Sequence, residues 1–368
     1  MKRTTLLFLL LTINYSFSQK LFITKRDYSS GNVSTHIHSL QEINQTNGNL
    51  ISNYNFSTSF PNSYSPRSLS FNYETNEIIG EADGIIVKYN IDTGIETSFN
   101  LPSTLNTNYG EIIFVKNRLF ITKRNYSRGN VSTYIHSLQE INQTNGNIIS
   151  NYNFSTSFPN SYSPRSLSFN YETNEIIGEA DGIIVKYNID TGIETSFNLP
   201  STQNTNYGEI IFVKNRLFIT KRNYSSGNVS TYIHSLQEIN QTNGNLISNY
   251  NFSTSFPNSY SPRSLSFNYE TNEIIGEADG IIVKYNIDTG IETSFNLPTT
   301  LNTNYGEIIF INTRDYSLSI NKNNSISNIP KPIKAYDLIG KEVSTNTKNE
   351  VIIVVYKNGS RKKIFQIN

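Results

Sequence analysis

From residue 67 the chain runs as short stretches of alternating polar and apolar residues, each cut off by a turn. Ser68 to Phe71 alternates, and an Asn72-Tyr-Glu-Thr-Asn76 stretch interrupts it. Glu77 to Ala82 follows, then Asp83-Gly84, then Ile85 to Ile91, then Asp92-Thr-Gly94, then Ile95 to Leu101. An Asp-Gly pair between two apolar runs is a strong hairpin signal, because both turn residues must take positive φ. The pattern predicts four consecutive antiparallel strands. A second set comes next: Glu111 to Val115, a Lys116-Asn117 turn, Leu119 to Arg124, a loop, Ser132 to Asn142, a Gln143-Thr-Asn-Gly146 turn, and Asn147 to Phe154. No stretch keeps a 3.6-residue apolar period, so no helix is expected.

These eight strands belong to a unit that recurs. Leu21-Phe-Ile-Thr-Lys-Arg26 returns at Leu119 and at Leu217, an offset of 98 residues each time. Two four-stranded meanders per unit, in three units, give six sheets of four strands, which is the make-up of a six-bladed β-propeller. The phase of the repeat bears on closure. The first copy begins on the second strand of a sheet, at Lys20-Leu21, and the missing first strand stands at the far end, Glu307 to Ile311. One blade is therefore expected to be built from both ends of the domain, which locks a ring and would serve no purpose in an open array.

Composition narrows the rest. Only 36% of residues are hydrophobic, but 24 Tyr and 21 Phe supply bulky strand formers for a β core. The formal net charge of +1 argues against a general nucleic-acid or acidic-membrane binder. With no cysteine, disulfides, thiolate metal sites and cysteine catalysis are excluded. Lys2-Arg3, the apolar run Leu6 to Leu11 and Ser16-Phe-Ser18 read as a signal peptide cleaved before Gln19, giving a secreted or cell-surface product. The run is too short to span a bilayer, and no other stretch is long enough, so no transmembrane segment is expected after cleavage.

After Ile311 the repeat stops. Lys331 to Asn368 holds eight basic and three acidic residues and includes Tyr336-Asp-Leu-Ile-Gly-Lys-Glu-Val343, the apolar run Val351 to Tyr356, an Asn358-Gly359 turn and the basic stretch Arg361-Lys-Lys363. This segment resembles the C-terminal sorting domain, type A, of proteins exported by the type IX secretion system, although the Pro-Asn-Pro usual near the start of such domains is missing. The resemblance implies a small β-sandwich-like domain and the type IX machinery as a partner. The chain then divides into a signal peptide (1–18), a propeller (19–312) and a sorting domain (313–368).

In a propeller the first strand of each blade lines the central channel. Those strands are read as beginning with Arg67, Glu111, Arg165, Glu209, Arg263 and Glu307, so charge alternates round the ring. The six are expected near one channel mouth, either as an ion-pair network between blades or as polar anchors for a ligand. The loops on that face carry Arg26, Tyr28, Phe60, Tyr64, Glu81, Asp83 and Tyr109, with their repeat copies. Aromatic rings beside carboxylates and amides suit a glycan or a protein segment.

His38, His136 and His234 are equivalent copies on third strands, expected to be exposed or half-buried and too far apart to share a metal. No cofactor motif is present. Three near-identical units supply the same groups three times, whereas an active site needs different groups around one atom. The expectation is a binding module without enzymatic activity. A secreted carbohydrate-active enzyme using Glu81, Glu179 and Glu277, or a surface protein with no specific ligand, are the alternatives.

Overall fold

The computed structural model describes residues 19–28, 36–60, 65–103, 106–126, 134–158, 163–200, 204–224, 232–256, 261–300 and 302–311, with four strand segments beyond residue 331. The signal-peptide reading of residues 1–18, Tyr64 and the loop copies at 29–35, 127–133 and 225–231 lie outside the described residues. The chain separates into two compact units, Met1–Thr313 and Arg314–Asn368.

The first unit is an all-β six-bladed propeller. Strands β1 (Lys20–Tyr28), β2 (His36–Ile43) and β3 (Leu50–Asn55) belong to one blade, and β4 (Ser68–Asn72), β5 (Glu77–Ala82), β6 (Ile85–Asn90) and β7 (Glu96–Asn100) form the next. A third blade holds β8 (Thr107–Val115), β9 (Arg118–Tyr126), β10 (Tyr134–Ile141) and β11 (Ile148–Asn153). The same pair of blades repeats 98 residues on, and the series ends at β24 (Thr303–Ile311). Strand β24 pairs antiparallel with β1, setting Phe310 opposite Leu21 and Ile308 opposite Ile23, so the ring closes through both ends of the domain.

The core lies between blades. Ile79, Ile86 and Leu101 of one blade meet Ile112, Leu119, Ile121 and Ile141 of the next. Phe120 and Leu138 meet Phe169 and Ile176, and Phe22 and Leu40 meet Phe71 and Ile78. Strand alternation explains this: every second residue of an inner strand faces one neighbouring sheet and the residues between face the other. Each fully buried Ile or Phe contributes about 1.5–3 kcal/mol, and with no disulfide these interfaces supply the stabilisation. The closing blade is held in the same way, by Leu21, Ile23 and Phe310 packed on Ile275 and Ile282.

One kind of seam is also zipped by serines. The Ser68 hydroxyl of β4 accepts from the Ile112 amide at 3.0 Å and donates to the Ile112 carbonyl at 3.2 Å, and Ser70 accepts from the Phe114 amide at 2.8 Å. Ser166 and Ser264 repeat the first contact on Ile210 and Ile308. The Asp83-Gly84 turn has φ of 54° and 81°, the type I′ geometry that its sequence predicts.

The second unit contains a four-stranded antiparallel sheet in the order β26-β25-β27-β28, where β25 is Pro332–Tyr336, β26 Glu342–Val343, β27 Val351–Tyr356 and β28 Arg361–Phe365. Among the described residues no helix is long and apolar enough to cross a membrane.

Candidate functional site

A bulge sets the site up. The pairing of β8 with β9 slips between Tyr109 and Ile112, leaving Gly110 and Glu111 outside the ladder. The Thr122 hydroxyl of β9 sits behind them and accepts from the Glu111 amide at 2.9 Å. A Cβ on Gly110 would stand 2.6 Å from that hydroxyl, so only glycine fits. The irregularity turns the Glu111 side chain into the channel, and it recurs in β16 (Thr205–Val213) and β24. The sequence reading began this strand at Glu111. It begins at Thr107, and Glu111 lies in mid-strand because four further residues reach up to the channel rim.

The channel opens into a cavity of about 1840 Å³. It reaches no deeper along the first strands than Arg67 and Glu111 and their copies, Arg165, Arg263, Glu209 and Glu307. These six form the floor of a funnel, below a wall of Tyr109, Gly110, Asp83 and Gly84 and a rim that includes Thr107 and Asn108. The expectation at the mouth is thus revised: the six converge at the bottom, because the bulged strands continue past them. The arginines are exposed to the cavity and the glutamates half-buried.

The glutamates are not simply neutralised by the arginines. Glu111 has its carboxyl pushed up to about 8, first by burial, then by Glu81, against the opposing pull of the Ser68 hydroxyl and Arg67. Glu209 and Glu307 are raised as well, by burial and then by the negative charge of Glu111, to which Glu209 adds in the case of Glu307. Symmetry copies therefore do act on one another across the axis.

Glu81, Glu179 and Glu277 do something else. Glu81 is 2% exposed, and its carboxylate accepts from the Gly84 amide at 2.7 Å, closing the Asp83-Gly84 turn from inside. Burial lifts it to about 7. The copies repeat the contact on Gly182 and Gly280. Asp83 lines the cavity with its Oδ2 buried and without a hydrogen-bond partner, as do Asp181 and Asp279.

Tyr109 and Phe60 each make internal contacts. Tyr109 donates its hydroxyl to the Pro102 carbonyl, its ring lies 3.4 Å from where a Cβ on Gly84 would be, and Lys123 Nζ stands 5.7 Å from its centroid. Phe60 is 8% exposed and packs edge-on to His38, with 5.2 Å between ring centroids. His38, His136 and His234 are buried, not half-exposed as their strand position suggested. Each has Nδ1 at 2.9–3.0 Å from a serine hydroxyl, Ser65, Ser163 or Ser261. Desolvation brings His38 down to about 4 and lowers the other two. Among the described residues no group of His, Asp and Glu could hold a metal ion.

No family model matches the chain, and no curated protein matches it in sequence. Similar solved structures do exist. One, a protein of unknown function from Bacteroides caccae, is 11% identical with a TM-score of 0.52, covering 80% of this chain and 99% of that one. Another, from a nidogen/laminin complex, is 10% identical with a TM-score of 0.52, covering 80% and 98%. At such identity the likeness is one of fold, and on that ground the chain is a six-bladed β-propeller with four-stranded blades.

Proposed function

We propose that the protein is a secreted or cell-surface binding module that takes a glycan or protein ligand in its funnel, and that residues 313–368 form a β-sandwich-like sorting domain exported by the type IX machinery. The observation that carries the binding reading is the floor: three glutamates presented by three equivalent bulges, and three arginines just ahead of the neighbouring first strands, at the bottom of one large cavity. Raised, mutually repelling carboxyls cost stability, and such costs concentrate at functional sites. Three equal contact sets suit a repeating or multivalent partner. The nidogen/laminin likeness is compatible with a propeller that binds another protein. The C-terminal reading rests on the Tyr336 to Val343 and Arg361 to Lys363 motifs.

The test of binding is a screen of the full chain on glycan and surface-protein arrays, repeated with Arg67, Arg165 and Arg263 all changed to Ala. A ligand that survives the triple change sits elsewhere and overturns the reading. Export is tested by deleting residues 313–368: unchanged appearance in the medium refutes the sorting role.

A further inference from the structure

The funnel floor has a composition that selects a ligand class. Six arginines, Arg26, Arg67 and their copies, line the cavity with three aspartates, Asp83 and its copies. While the glutamates are protonated that leaves three positive charges. Ionising Glu111, Glu209 and Glu307 cancels them, and ionising Glu81 and its copies as well reverses the sign. The groups acting on Glu111 are Arg67 ahead of β4, Glu81 on β5 and, from the other two repeats, Glu209 and Glu307. Burial holds Glu111 protonated to about 8 and Glu81 to about 7, so the floor is cationic at neutral pH and below.

The Tyr109 hydroxyl is held by the Pro102 carbonyl, and Lys123 Nζ stands 5.7 Å from its ring centroid. Among the described residues no cluster of His, Asp and Glu has the arrangement of a metal site. Exposed at the bottom are three guanidiniums, each a planar fork that matches a carboxylate, beside carboxyls that can donate a proton to a bound anion.

We propose that the funnel floor is an anion site for a ligand carrying two or more carboxylates, gripped by Arg67, Arg165 and Arg263 with Glu111, Glu209 and Glu307 between them. This rests on the binding reading above and adds the ligand's chemistry. Because a bound carboxylate favours the protonated glutamates, binding takes up protons from solution and weakens as the trio ionises. No covalent step is involved.

The experiment is isothermal titration calorimetry on the full chain with two probes, propane-1,2,3-tricarboxylate and trigalacturonate. Binding is expected at pH 6, weaker by at least about tenfold at pH 9. At pH 8, buffers of different ionisation enthalpy should reveal net proton uptake. The triple variant R67Q/R165Q/R263Q should lose binding at both pH values. The triple variant E111Q/E209Q/E307Q should keep it with a reduced pH dependence, since Gln imitates the protonated carboxyl and only Glu81 and its copies still titrate. Equal affinity for both probes identifies a free small anion as the natural source, and preference for the trimer identifies an acidic glycan. Absence of binding at pH 6 overturns the proposal, as does pH-independent binding without proton uptake. These wild-type measurements decide even where a variant fails to fold. A neutral or cationic ligand found in the funnel would overturn the anion site while leaving the binding reading intact.

Discussion

Two sets of three glutamates, each repeated at 98-residue intervals, meet opposite fates in this ring. Glu111, Glu209 and Glu307 stand at the axis, where burial and mutual repulsion raise them. Glu96, Glu194 and Glu292 stand on the fourth strands of their blades. Glu96 accepts from the Tyr54 hydroxyl at 2.6 Å, from the Ser57 and Thr58 amides at 2.8 Å each, and from the Thr58 hydroxyl. All those donors follow or belong to β3 of the preceding blade, so one carboxylate staples two blades. These hydrogen bonds outweigh partial burial and hold Glu96, Glu194 and Glu292 below the usual carboxylate range. The contrast teaches that residue type says little until the donors are counted. The outer set serves the ring, and the inner set is tolerated by it.

The largest expected effect comes from breaking the staples. Replacing Glu96, Glu194 and Glu292 together by Ala leaves the Ser57 and Thr58 amides and their copies without their acceptor. Each copy should cost about 1–3 kcal/mol, measured by urea unfolding at pH 7. The sign with pH follows from the depressed carboxyls. Their stabilisation is fully present above the unfolded value of 4.5 and is lost as pH falls through the lower folded value. Wild type should therefore weaken in acid more steeply than the triple variant. Parallel acid limbs would show that the staples carry no linkage.

The ring was legible in the chain's own pattern. Six alternating meanders, the 98-residue period and the Glu307 to Ile311 strand waiting for Lys20-Leu21 are all local patterns. The alternating charge of Arg67 and Glu111 also pointed to the channel. What the pattern hid was depth and company. The bulge at Gly110-Glu111 depends on Thr122, eleven residues on from Glu111, and on a hydroxyl that no alternation rule registers. The Glu96 staple spans 38 or 39 residues and two blades. The mutual effect of Glu111, Glu209 and Glu307 exists only once the ring has drawn three distant copies to one axis. The histidines misled for a related reason: their strands are peripheral, but Phe60 and Ser65 from the next loop cover His38.

Changing the inner trio should act in the opposite direction. In E111Q/E209Q/E307Q the neutral amides keep the shape and remove the charges. A carboxyl raised in the folded state imposes a penalty that is absent below 4.5 and grows as pH rises to about 8, where Glu111 ionises. The variant should match wild type near pH 4 and exceed it at pH 9 by about 2–4 kcal/mol in all, below the full linkage value because cavity water screens the trio. Thermal melting across pH 4–9 makes the comparison. A variant less stable than wild type at pH 9 would mean that the glutamates hold the ring together as ion pairs with Arg67 and its copies, the other role their alternation suggested.

The smallest change addresses the boundary between the two behaviours. Ser68 is 5% exposed and serves both the seam and the floor. Its hydroxyl bridges the amide and carbonyl of Ile112, and it is also the group that most opposes the rise of Glu111. In Ser68→Ala the Ile112 amide is left buried without its acceptor, which should cost about 1–2 kcal/mol. The carboxyl of Glu111 should also hold its proton to higher pH, because a hydrogen bond that favoured the anion is gone. Carbon-13 NMR of the glutamate carboxyls would follow that titration directly. An upward move at Glu111 with Glu96 unchanged would place the serine at the hinge between seam and site. Loss of stability with no move at Glu111 would confine its role to the seam and leave the trio's proton affinity to burial and mutual repulsion.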